Sequence, residues 1–341
     1  MQVADGVFQF KVPMPSMRGV ADGRLRYTLV YAVRTDEGWV VIDAGWNTDE
    51  GFGAFQRYLS EAGIAPEDVS AIVLTHGHPD HSGLAGRIKE LTGARLAMHR
   101  LDADGGDLGR MQALFRDPEA AHRWMARYGV PPEELPQDAW PRPAGRSQGP
   151  PPPQRSFALE VDVVLDGGEE IVAGSGLWAI WTPGHSPGHV CVHDQKRKLL
   201  FSGDHVLPVV TPFVRLYPGD EGDPLAGFLQ AQRDLKKLDV EMVHPAHEHS
   251  FPDLRRRVDE ILRHHRERFD EILAQVHDGP KTAWQIASSI RWNVGPWREL
   301  GSWTRRMALL ETLAHIQHMV MEGELASLDT GLTVRYSPAQ P

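Results

Sequence analysis

The sequence predicts a layered α/β fold, because short apolar runs alternate with segments that carry a helical repeat. The run at residues 71–74, A-I-V-L, is uninterrupted and apolar, as is typical of a strand buried on both faces. Before it, Phe52, Phe55 and Leu59 mark one face of a helix that Gly63 ends. The 341 residues, 41% of them hydrophobic, are sufficient for a full core and one additional module.

The other core elements follow in order along the chain. Residues 27–33 and 39–43 are predicted as paired strands joined by a short turn. A second helix is predicted over residues 84–93. The Asp-Pro pair at 223–224 is a good N-cap and first turn for a third helix. The apolar residues of that helix are Leu225, Phe228, Leu229, Leu235 and Leu238.

Four potential metal ligands lie within six positions, just after the apolar run. Residues 75–82 read T-H-G-H-P-D-H-S and contain His76, His78, Asp80 and His81. Alternate residues of an extended segment point the same way, so His76 and His78 can bind one ion while Asp80 and His81 turn towards a second. Imidazole and carboxylate together suit zinc, and iron, manganese and cobalt accept the same ligands. The segment therefore predicts two neighbouring divalent metal ions.

Three further ligand candidates each follow a predicted strand. W-A-I-W-T-P-G-H places His185 after a strand and a Pro-Gly turn, L-L-F-S-G-D ends on Asp204, and V-E-M-V-H-P-A-H ends on His247. An isolated loop histidine is more often simply solvated. Here every candidate stands at a strand end, and this order favours a shared site at one edge of a sheet.

These motifs resemble those of the metallo-β-lactamase-like superfamily, and the likeness covers roughly residues 7–250. Ala246 stands where the family usually has glycine, so His244 and His249 are alternatives to His247 as the last ligand. Asp204 matches the carboxylate that bridges the two metals. The resemblance assigns His76, His78 and His185 to the first metal, and Asp80, His81 and His247 to the second.

The resemblance also implies roles for residues around the metals. Asp43, in the segment I-D-A-G, matches an aspartate that supports the metal loop by orienting its ligands. Asp80 is expected to orient the attacking hydroxide. His205 is either a proton donor to the leaving group or a structural residue. His189 is expected to support a ligand without being one.

The resemblance sharpens the predicted fold to an αβ/βα sandwich, with two mixed sheets faced by helices and the metals at one end of the sheet interface. This catalytic domain is expected to occupy residues 1–250, with an insertion at about 101–157. In the insertion, Asp117 and Pro118 open a short helix, and proline-rich chain follows. We expect a lid or substrate-shaping cap, with an uninvolved surface excursion as the alternative. Its apolar residues are Met111, Leu114, Phe115, Trp124, Met125 and Tyr128.

Residues 251–341 are predicted as a linker helix followed by a small winged-helix domain. A helical stripe over 254–276 precedes a capping box at 282–285 that opens a short helix through Ile290. Another helix, ending at Gly323, precedes a hairpin. This order resembles the C-terminal winged helix that a group of metallo-β-lactamase-like hydrolases carries.

The nearly neutral charge of the predicted winged-helix module disfavours nucleic-acid binding. Residues 281–341 contain six Lys or Arg and five Asp or Glu, whereas a nucleic-acid-binding face should be basic. Packing against the catalytic domain, or homodimerisation, is therefore the expected use. The cluster Arg255, Arg256 and Arg257 is interpreted as a solvated helix face.

Composition disfavours nucleic-acid-binding, membrane-spanning, secreted and disulfide-bonded proteins. The net charge of −10 disfavours non-specific binding to phosphate backbones. No run approaches the roughly 18 apolar residues that a membrane span needs, and no secretory signal is visible. The single cysteine, Cys191, excludes an internal disulfide and is interpreted as a core residue of a strand. We therefore expect a cytoplasmic enzyme.

The expected activity is that of a dinuclear metal-dependent hydrolase acting on an ester, thioester or lactone of a small molecule. Two metals sharing Asp204 would activate a bridging hydroxide and polarise the substrate oxygen. The alternatives are a nuclease or phosphodiesterase, a mononuclear iron dioxygenase, and a winged-helix regulator with a vestigial site. The dioxygenase would not need Asp80, His81 and His247, and the complete ligand set disfavours a vestigial site.

Overall fold

The computed structural model describes residues 1–15, 26–106, 109–110, 117–135 and 159–339. Its larger sheet has the strand order β1-β2-β3-β4-β5-β6-β7, antiparallel as far as β4 and parallel from β4 onwards. The strands of this sheet are β1 (Gln2–Ala4), β2 (Val7–Pro13), β3 (Tyr27–Thr35), β4 (Gly38–Ile42), β5 (Val69–Val73), β6 (Arg95–His99) and β7 (Val163–Leu165).

A second sheet has the order β11-β10-β9-β8, and it is mixed because only β10 and β11 run parallel. Since β8 and β10 are both antiparallel to β9, the carboxyl ends of β8, β10 and β11 meet at one edge. The strands of this sheet are β8 (Leu177–Trp181), β9 (Val190–Asp194), β10 (Leu199–Gly203) and β11 (Met242–Pro245).

Helices cover the outer faces of the two sheets. In β3, Val30 and Ala32 face the helices while Leu29, Tyr31 and Val33 face the other sheet, as the two-residue period of a strand requires. The layers are therefore helix, sheet, sheet, helix, which confirms the predicted mixed α/β sandwich. The helices are α1 (Asp49–Glu61), α2 (Pro79–Ser82), α3 (Ala85–Thr92), α4 (Arg100–Ala103), α5 (Pro118–Arg127), α6 (Pro224–Leu235), α7 (Leu254–Val276), α8 (Ala283–Ala287) and α9 (Ser302–Met321), with single 3₁₀ turns at Pro66–Asp68, Pro132–Glu134 and Trp297–Glu299.

The predicted helices of the core are present. Helix α1 buries Phe55 and Leu59, and α3 ends at Gly93, which adopts the left-handed conformation. Asp223 caps α6 by accepting a hydrogen bond from the backbone N–H of Ala226. This helix ends at Leu235, so Leu238 lies beyond it. Cys191 is fully buried in β9, as expected of a core residue.

The C-terminal elements also occur in the predicted order. The capping box of Thr282 and Gln285 is present, but α8 ends at Ala287 and does not reach Ile290. A hairpin of β12 (Leu325–Asp329) and β13 (Val334–Pro338) follows α9. One continuous apolar core joins the second sheet to α6, α7 and α9. Among the helices of the described residues, none combines the length and apolar character of a membrane span.

The described part of the insertion packs against the C-terminal elements. Asp117 caps α5, as predicted, and Met125 is buried. The carbonyl of Tyr128 accepts a hydrogen bond from the backbone N–H of Trp284, and Arg127 forms an ion pair with Asp329. The lid remains a prediction, since Met111, Leu114, Phe115 and residues 136–158 lie outside the described residues.

The interpretation of the arginine cluster as a solvated face is wrong for one member. Arg255 and Arg256 are exposed, but Arg257 donates from Nε to the carbonyl of Leu207 at 2.6 Å and from Nη2 to the carbonyls of Val209 and Val210 at 3.0 and 3.1 Å. The first turn of α7 therefore binds the loop that follows β10.

The continuous core predicts that the C-terminal elements unfold together with the second sheet. Leu313→Ala removes a buried side chain from α9, and we expect it to lower the free energy of unfolding by about 2–5 kcal/mol in a single urea transition. The matched control, Leu332→Ala, changes a side chain that is 86% exposed and should stay within about 0.5 kcal/mol. Two separate transitions, with only one shifted by Leu313→Ala, would contradict this prediction.

Candidate metal centre

The ligand loop leaves the first sheet at the end of β5 and continues as five non-helical residues to the short helix α2. Thr75 anchors its start, because its carbonyl accepts a hydrogen bond at 2.8 Å from the backbone N–H of Val190 on the second sheet. Pro79 then occupies the first turn of α2, where its missing N–H costs nothing. His76 and His78 therefore lie on extended chain, and Asp80 and His81 lie on the helical turn.

Three imidazoles converge at the first candidate metal position. The Nε2 atom of His76 lies 2.8 Å from Nδ1 of His78, and Nε2 of His185 lies 3.1 Å from the same atom. The other ring nitrogen of His185, Nδ1, lies 2.9 Å from the carbonyl oxygen of Phe213, which fixes the orientation of the ring. Three nitrogens thus point at one another, an arrangement that only a shared proton or a cation makes favourable.

The second candidate position is formed by Asp80, His81 and His247. Oδ2 of Asp80 lies 3.6 Å from Nε2 of His81 and 3.3 Å from Nε2 of His247. The carbonyl of Tyr27 lies 3.1 Å from Nδ1 of His247 and orients this ring. His247 belongs to the cluster although Ala246 precedes it. The alternatives do not, since Nδ1 of His244 lies 2.7 Å from the hydroxyl of Ser250 and His249 is exposed.

Asp204 lies between the two positions. Its Oδ2 is 3.5 Å from Nε2 of both His185 and His81, and its Oδ1 is 3.3 Å from Nε2 of His247. Gly203 makes this placement feasible: its φ is +51°, and a Cβ there would lie 2.6 Å from Nε2 of His189. That nitrogen of His189 instead accepts a hydrogen bond from the backbone N–H of Asp204 at 3.1 Å.

The residues fit divalent cations. Nε2 of His81 and Oδ1 of Asp204 are buried, and their ion-pair contacts at 3.3 to 3.6 Å do not have hydrogen-bond geometry among the described residues, which is costly unless another group satisfies them. Ligand atoms within each group lie no more than 4.8 Å apart, and imidazoles with carboxylates form a typical zinc, iron or manganese ligand set. The groups are His76 with His78 and His185, His76 with His81 and Asp204, and Asp80 with His81 and His247.

Asp43 supports the loop from below. Its Oδ2 lies 2.8 Å from Nδ1 of His81, and its Oδ1 accepts hydrogen bonds from the backbone N–H and the hydroxyl of Thr75 at 2.8 and 2.9 Å. The hydroxyl of Thr75 in turn lies 3.1 Å from Nδ1 of His76. This carboxylate therefore orients one ligand directly and another through a neighbour.

The electrostatics of the two positions differ. Burial alone would lower the pKa of His247, but the carboxylates of Asp204 and Asp80 raise it to about 10. Burial also opposes the charged form of His81, yet the surrounding carboxylates, Asp43 first, raise its pKa well above the usual value. Burial and the neighbouring imidazoles hold the pKa of His76 well below the usual value. Without a metal, the second position therefore holds protons on its imidazoles, and His76 is neutral.

His205 is placed deep in the protein. It is fully buried, with neither ring nitrogen hydrogen-bonded among the described residues, and its ring lies 4.6 Å from that of Phe228. Burial first, and then His185, lower its pKa to about 3. These observations favour the structural role over that of a proton donor.

Asp102 was missed by the sequence reasoning. Residues 95–99 form a strand with an apolar centre, R-L-A-M-H, and the carboxylate of Asp102 follows soon after it, so a signal similar to the one that identified Asp204 was also present here. In the structure it is buried and accepts hydrogen bonds from the backbone N–H of Gly77 and of Gly188 and from the hydroxyl of Ser186. It therefore contacts the loops on both sides of the first metal position.

A cavity of about 300 Å³ opens beside the same position. One wall carries Trp181, which is 47% exposed, stacks on His99 at 5.7 Å and donates from Nε1 to the carbonyl of Pro187 at 2.9 Å. Arg215 also lines the cavity, and its Nη2 lies 2.5 Å from Nε2 of His78. The cavity is therefore lined by the indole of Trp181, which is held by two contacts, and by Arg215, which contacts the candidate metal ligand His78.

Known proteins share this sequence pattern and this fold. Residues 23–247 match the sequence profile of the Metallo-beta-lactamase superfamily. The chain is 24% identical over 347 residues to the probable metallo-hydrolase YqjP of Bacillus subtilis (strain 168), covering 97% of this chain and 98% of that protein. It is 31% identical over 188 residues to the human acyl-coenzyme A thioesterase MBLAC2, covering 52% of this chain and 57% of that protein.

A solved structure resembles the chain over nearly its whole length. The metallo-beta-lactamase family protein TTHA1429 from Thermus thermophilus superimposes with a TM-score of 0.71 at 28% identity, covering 98% of this chain and 99% of that one. The likeness therefore includes the C-terminal helices and hairpin.

The raised pKa values at the second position predict proton release on metal binding. A metal needs neutral imidazoles, so His81 and His247, whose pKa values are both raised, must each lose a proton. The apparent affinity should therefore rise with pH by about tenfold per unit for each proton released, and for the proton of His247 this rise should continue to about pH 10. Calorimetric titration with Zn²⁺ in buffers of different ionisation enthalpy measures this release. His249→Ala, which changes an exposed histidine nearby, should leave it unchanged. Binding without proton release would contradict the prediction.

Proposed function

The chain belongs to the metallo-β-lactamase superfamily and is a metal-dependent hydrolase, and from this premise we propose that it uses two divalent metal ions, zinc in the first instance, to hydrolyse a thioester or a related ester or lactone of a small molecule. The observation that carries the proposal is the position of Asp204, whose carboxylate lies within 3.5 Å of imidazoles from both ligand groups. A single carboxylate between two such groups is well placed to serve as a ligand to a pair of neighbouring metals.

We assign the ligands as the sequence predicts: His76, His78 and His185 to the first metal, Asp80, His81 and His247 to the second, and Asp204 to both. When bound, the metals supply Lewis acidity, which lowers the pKa of a coordinated water and polarises a substrate carbonyl. Asp80 is suited to orient an attacking water, because its carboxylate lies beside the second ligand group and is only partly buried. Its main chain is held by a hydrogen bond from the hydroxyl of Thr28 to its backbone carbonyl at 2.8 Å. Asp43 keeps the ring of His81 fixed while this happens.

The choice of a thioester rests on two supports. The first is the identity with a protein named as an acyl-coenzyme A thioesterase, over about half of each chain. The second is the cavity, whose wall of Trp181, Leu101, Pro183 and Pro187 offers apolar surface beside the turn that carries His185. We propose that the apolar acyl group of the substrate lies against this wall.

The phosphodiesterase alternative is less well supported. The net charge of the chain is −10 and the C-terminal module is nearly neutral, whereas nucleic-acid binding is favoured by a basic surface. We propose that the module, interpreted as a winged helix, serves to pack against the catalytic domain. Leu310 of α9 accepts a hydrogen bond at 3.2 Å from the backbone N–H of Leu216, and Nδ1 of His318 lies 2.8 Å from the carboxylate of Asp223. Homodimerisation remains a further prediction.

The test of the proposal combines metal content with a substrate panel. Elemental analysis of the purified protein should give about two metals per chain, with turnover of acyl thioesters. Asp204→Asn removes the shared charge, so we expect it to lower the metal content and to reduce turnover by at least about 100-fold. His249→Ala is the matched control and should retain both. Phosphodiester turnover alone would favour a nuclease, and one iron with oxygen uptake would favour a dioxygenase.

The cavity generates a separate prediction about substrate binding. Trp181→Ala removes the largest of the lining side chains, and we expect KM for a long-chain acyl thioester to rise about tenfold with kcat little changed, as for a group that binds ground state and transition state equally. Trp181→Phe retains a ring and should recover most of the affinity. An acetyl thioester, which is too short to use the wall, is the control substrate. An equal rise in KM for both substrates would contradict the assignment of the cavity.

A further inference from the structure

We propose that Asp102 is a positioning residue that holds together the two loops of the first metal position and so sets the affinity of that position alone. The inference rests on the proposed function, since it takes His76, His78 and His185 as metal ligands. These residues come from two loops that are remote in sequence, after β5 and after β8. Something must fix the distance between the loops for three nitrogens to share one ion.

The hydrogen bonds of Asp102 provide this connection. Oδ2 accepts from the backbone N–H of Gly77, which lies between His76 and His78, at 2.8 Å. The same oxygen accepts from the hydroxyl of Ser186, the residue after His185, at 2.8 Å. Oδ1 accepts from the backbone N–H of Gly188 at 2.7 Å. One buried carboxylate is therefore bonded to both ligand loops, within one to three residues of each ligand.

The contact between Asp102 and the loop after β8 depends on a glycine at position 188. A Cβ on Gly188 would lie 2.6 Å from the backbone nitrogen of Asp102 and 2.8 Å from its Oδ1, closer than real Cβ contacts. Only glycine allows the loop after β8 to approach so near. The contact also fixes α4, whose Leu101 lines the cavity and whose N-cap, His99, stacks on Trp181.

The chemistry of the contact requires a carboxylate. All three partners donate, so both oxygens must accept, and an ionised carboxylate is the side chain that only accepts. In Asp102→Asn, one oxygen becomes an amide that donates, and it then faces a backbone N–H of either Gly77 or Gly188. The substitution keeps the size of the side chain while it breaks the connection on one side.

The second metal position has a different support. Asp43 lies 2.8 Å from His81, whereas no contact joins Asp102 to Asp80, His81 or His247 in the hydrogen bonds and ion pairs of the described residues. Asp43 reaches the first position only through Thr75, whereas Asp102 contacts the loops of the first position alone, so a loss at Asp102 should affect one metal and spare the other.

Two backgrounds isolate the positions for the experiment. In His247→Ala the first position is retained, and in His78→Ala the second is retained. Zn²⁺ affinity is measured in each background, with and without Asp102→Asn, by competition with a chromophoric chelator. We expect Asp102→Asn to weaken binding about 10- to 100-fold in the His247→Ala background, as for partners that orient metal ligands, and less than about twofold in the His78→Ala background. Asp104→Asn, an exposed neighbour at the end of α4, should have no effect in either.

Two further measurements keep the result interpretable. The metal-free protein with Asp102→Asn should melt cooperatively, and Ser186→Ala, which removes one of the three donors, should weaken the first position in the same direction by a smaller factor. Equal weakening in both backgrounds, or none in either while the unmodified protein binds two metals, would overturn the inference and leave the proposed function standing. If the unmodified protein bound no metal, the proposed function would fail and this inference with it.

Discussion

The close approach of one carboxylate to several imidazoles is the constraint on which the rest of this structure depends. Asp204 is nearly buried, and within 3.5 Å it meets His81, His185 and His247, which come from three separate segments. Polar groups removed from water in this way are costly unless their charges and lone pairs are matched. Strands β5, β8, β10 and β11 all end near the metal centre, so each ligand follows a strand whose position is fixed by packing in the apolar core. The packing between the two sheets therefore also determines the geometry of the metal centre.

Strands bring the ligands near one another, but the final orientation is set by groups around them. Asp43 acts within the loop after β5, where it bonds both Thr75 and His81. The carbonyls of Phe213 and Tyr27 each face the outer nitrogen of a ligand ring, His185 and His247 respectively. Each of these contacts lies opposite the nitrogen that points into the centre, which is how an imidazole is held in one tautomer and one orientation. The centre is therefore supported from several elements at once.

The sequence predicts the fold and the candidate ligands well where the information is local. His76, His78, Asp80 and His81 share one short segment, and His185, Asp204 and His247 each stand at a recognisable strand end, so periodicity and spacing indicate them as candidates. The resemblance to the superfamily is what favours His247 over His244 and His249. Asp102 also follows a strand, but its role depends on contacts with Ser186 and Gly188, which are 84 and 86 residues away and which no local pattern can show. Arg257 was misinterpreted for the same reason, since the helix pattern cannot show which loop packs opposite it. The predicted end of α8 was wrong because a capping box marks where a helix starts but not where it ends.

The loop that follows β10 shows why the substrate is harder to predict than the chemistry. Its first residues accept hydrogen bonds from Arg257 of α7, its middle is bonded to Leu310 of α9 through Leu216, and Asp223 at its end faces His318. Arg215 and Tyr217, which line the cavity, lie in the same loop. The part of the cavity lining that Arg215 and Tyr217 form is therefore held by the C-terminal helices, which lie outside the segment of residues 23–247 that matches the superfamily. A relative that shares the ligand motifs but differs in its C-terminal helices can keep the reaction and change the substrate, so identity confined to about half of the chain supports the reaction type more strongly than the acyl group.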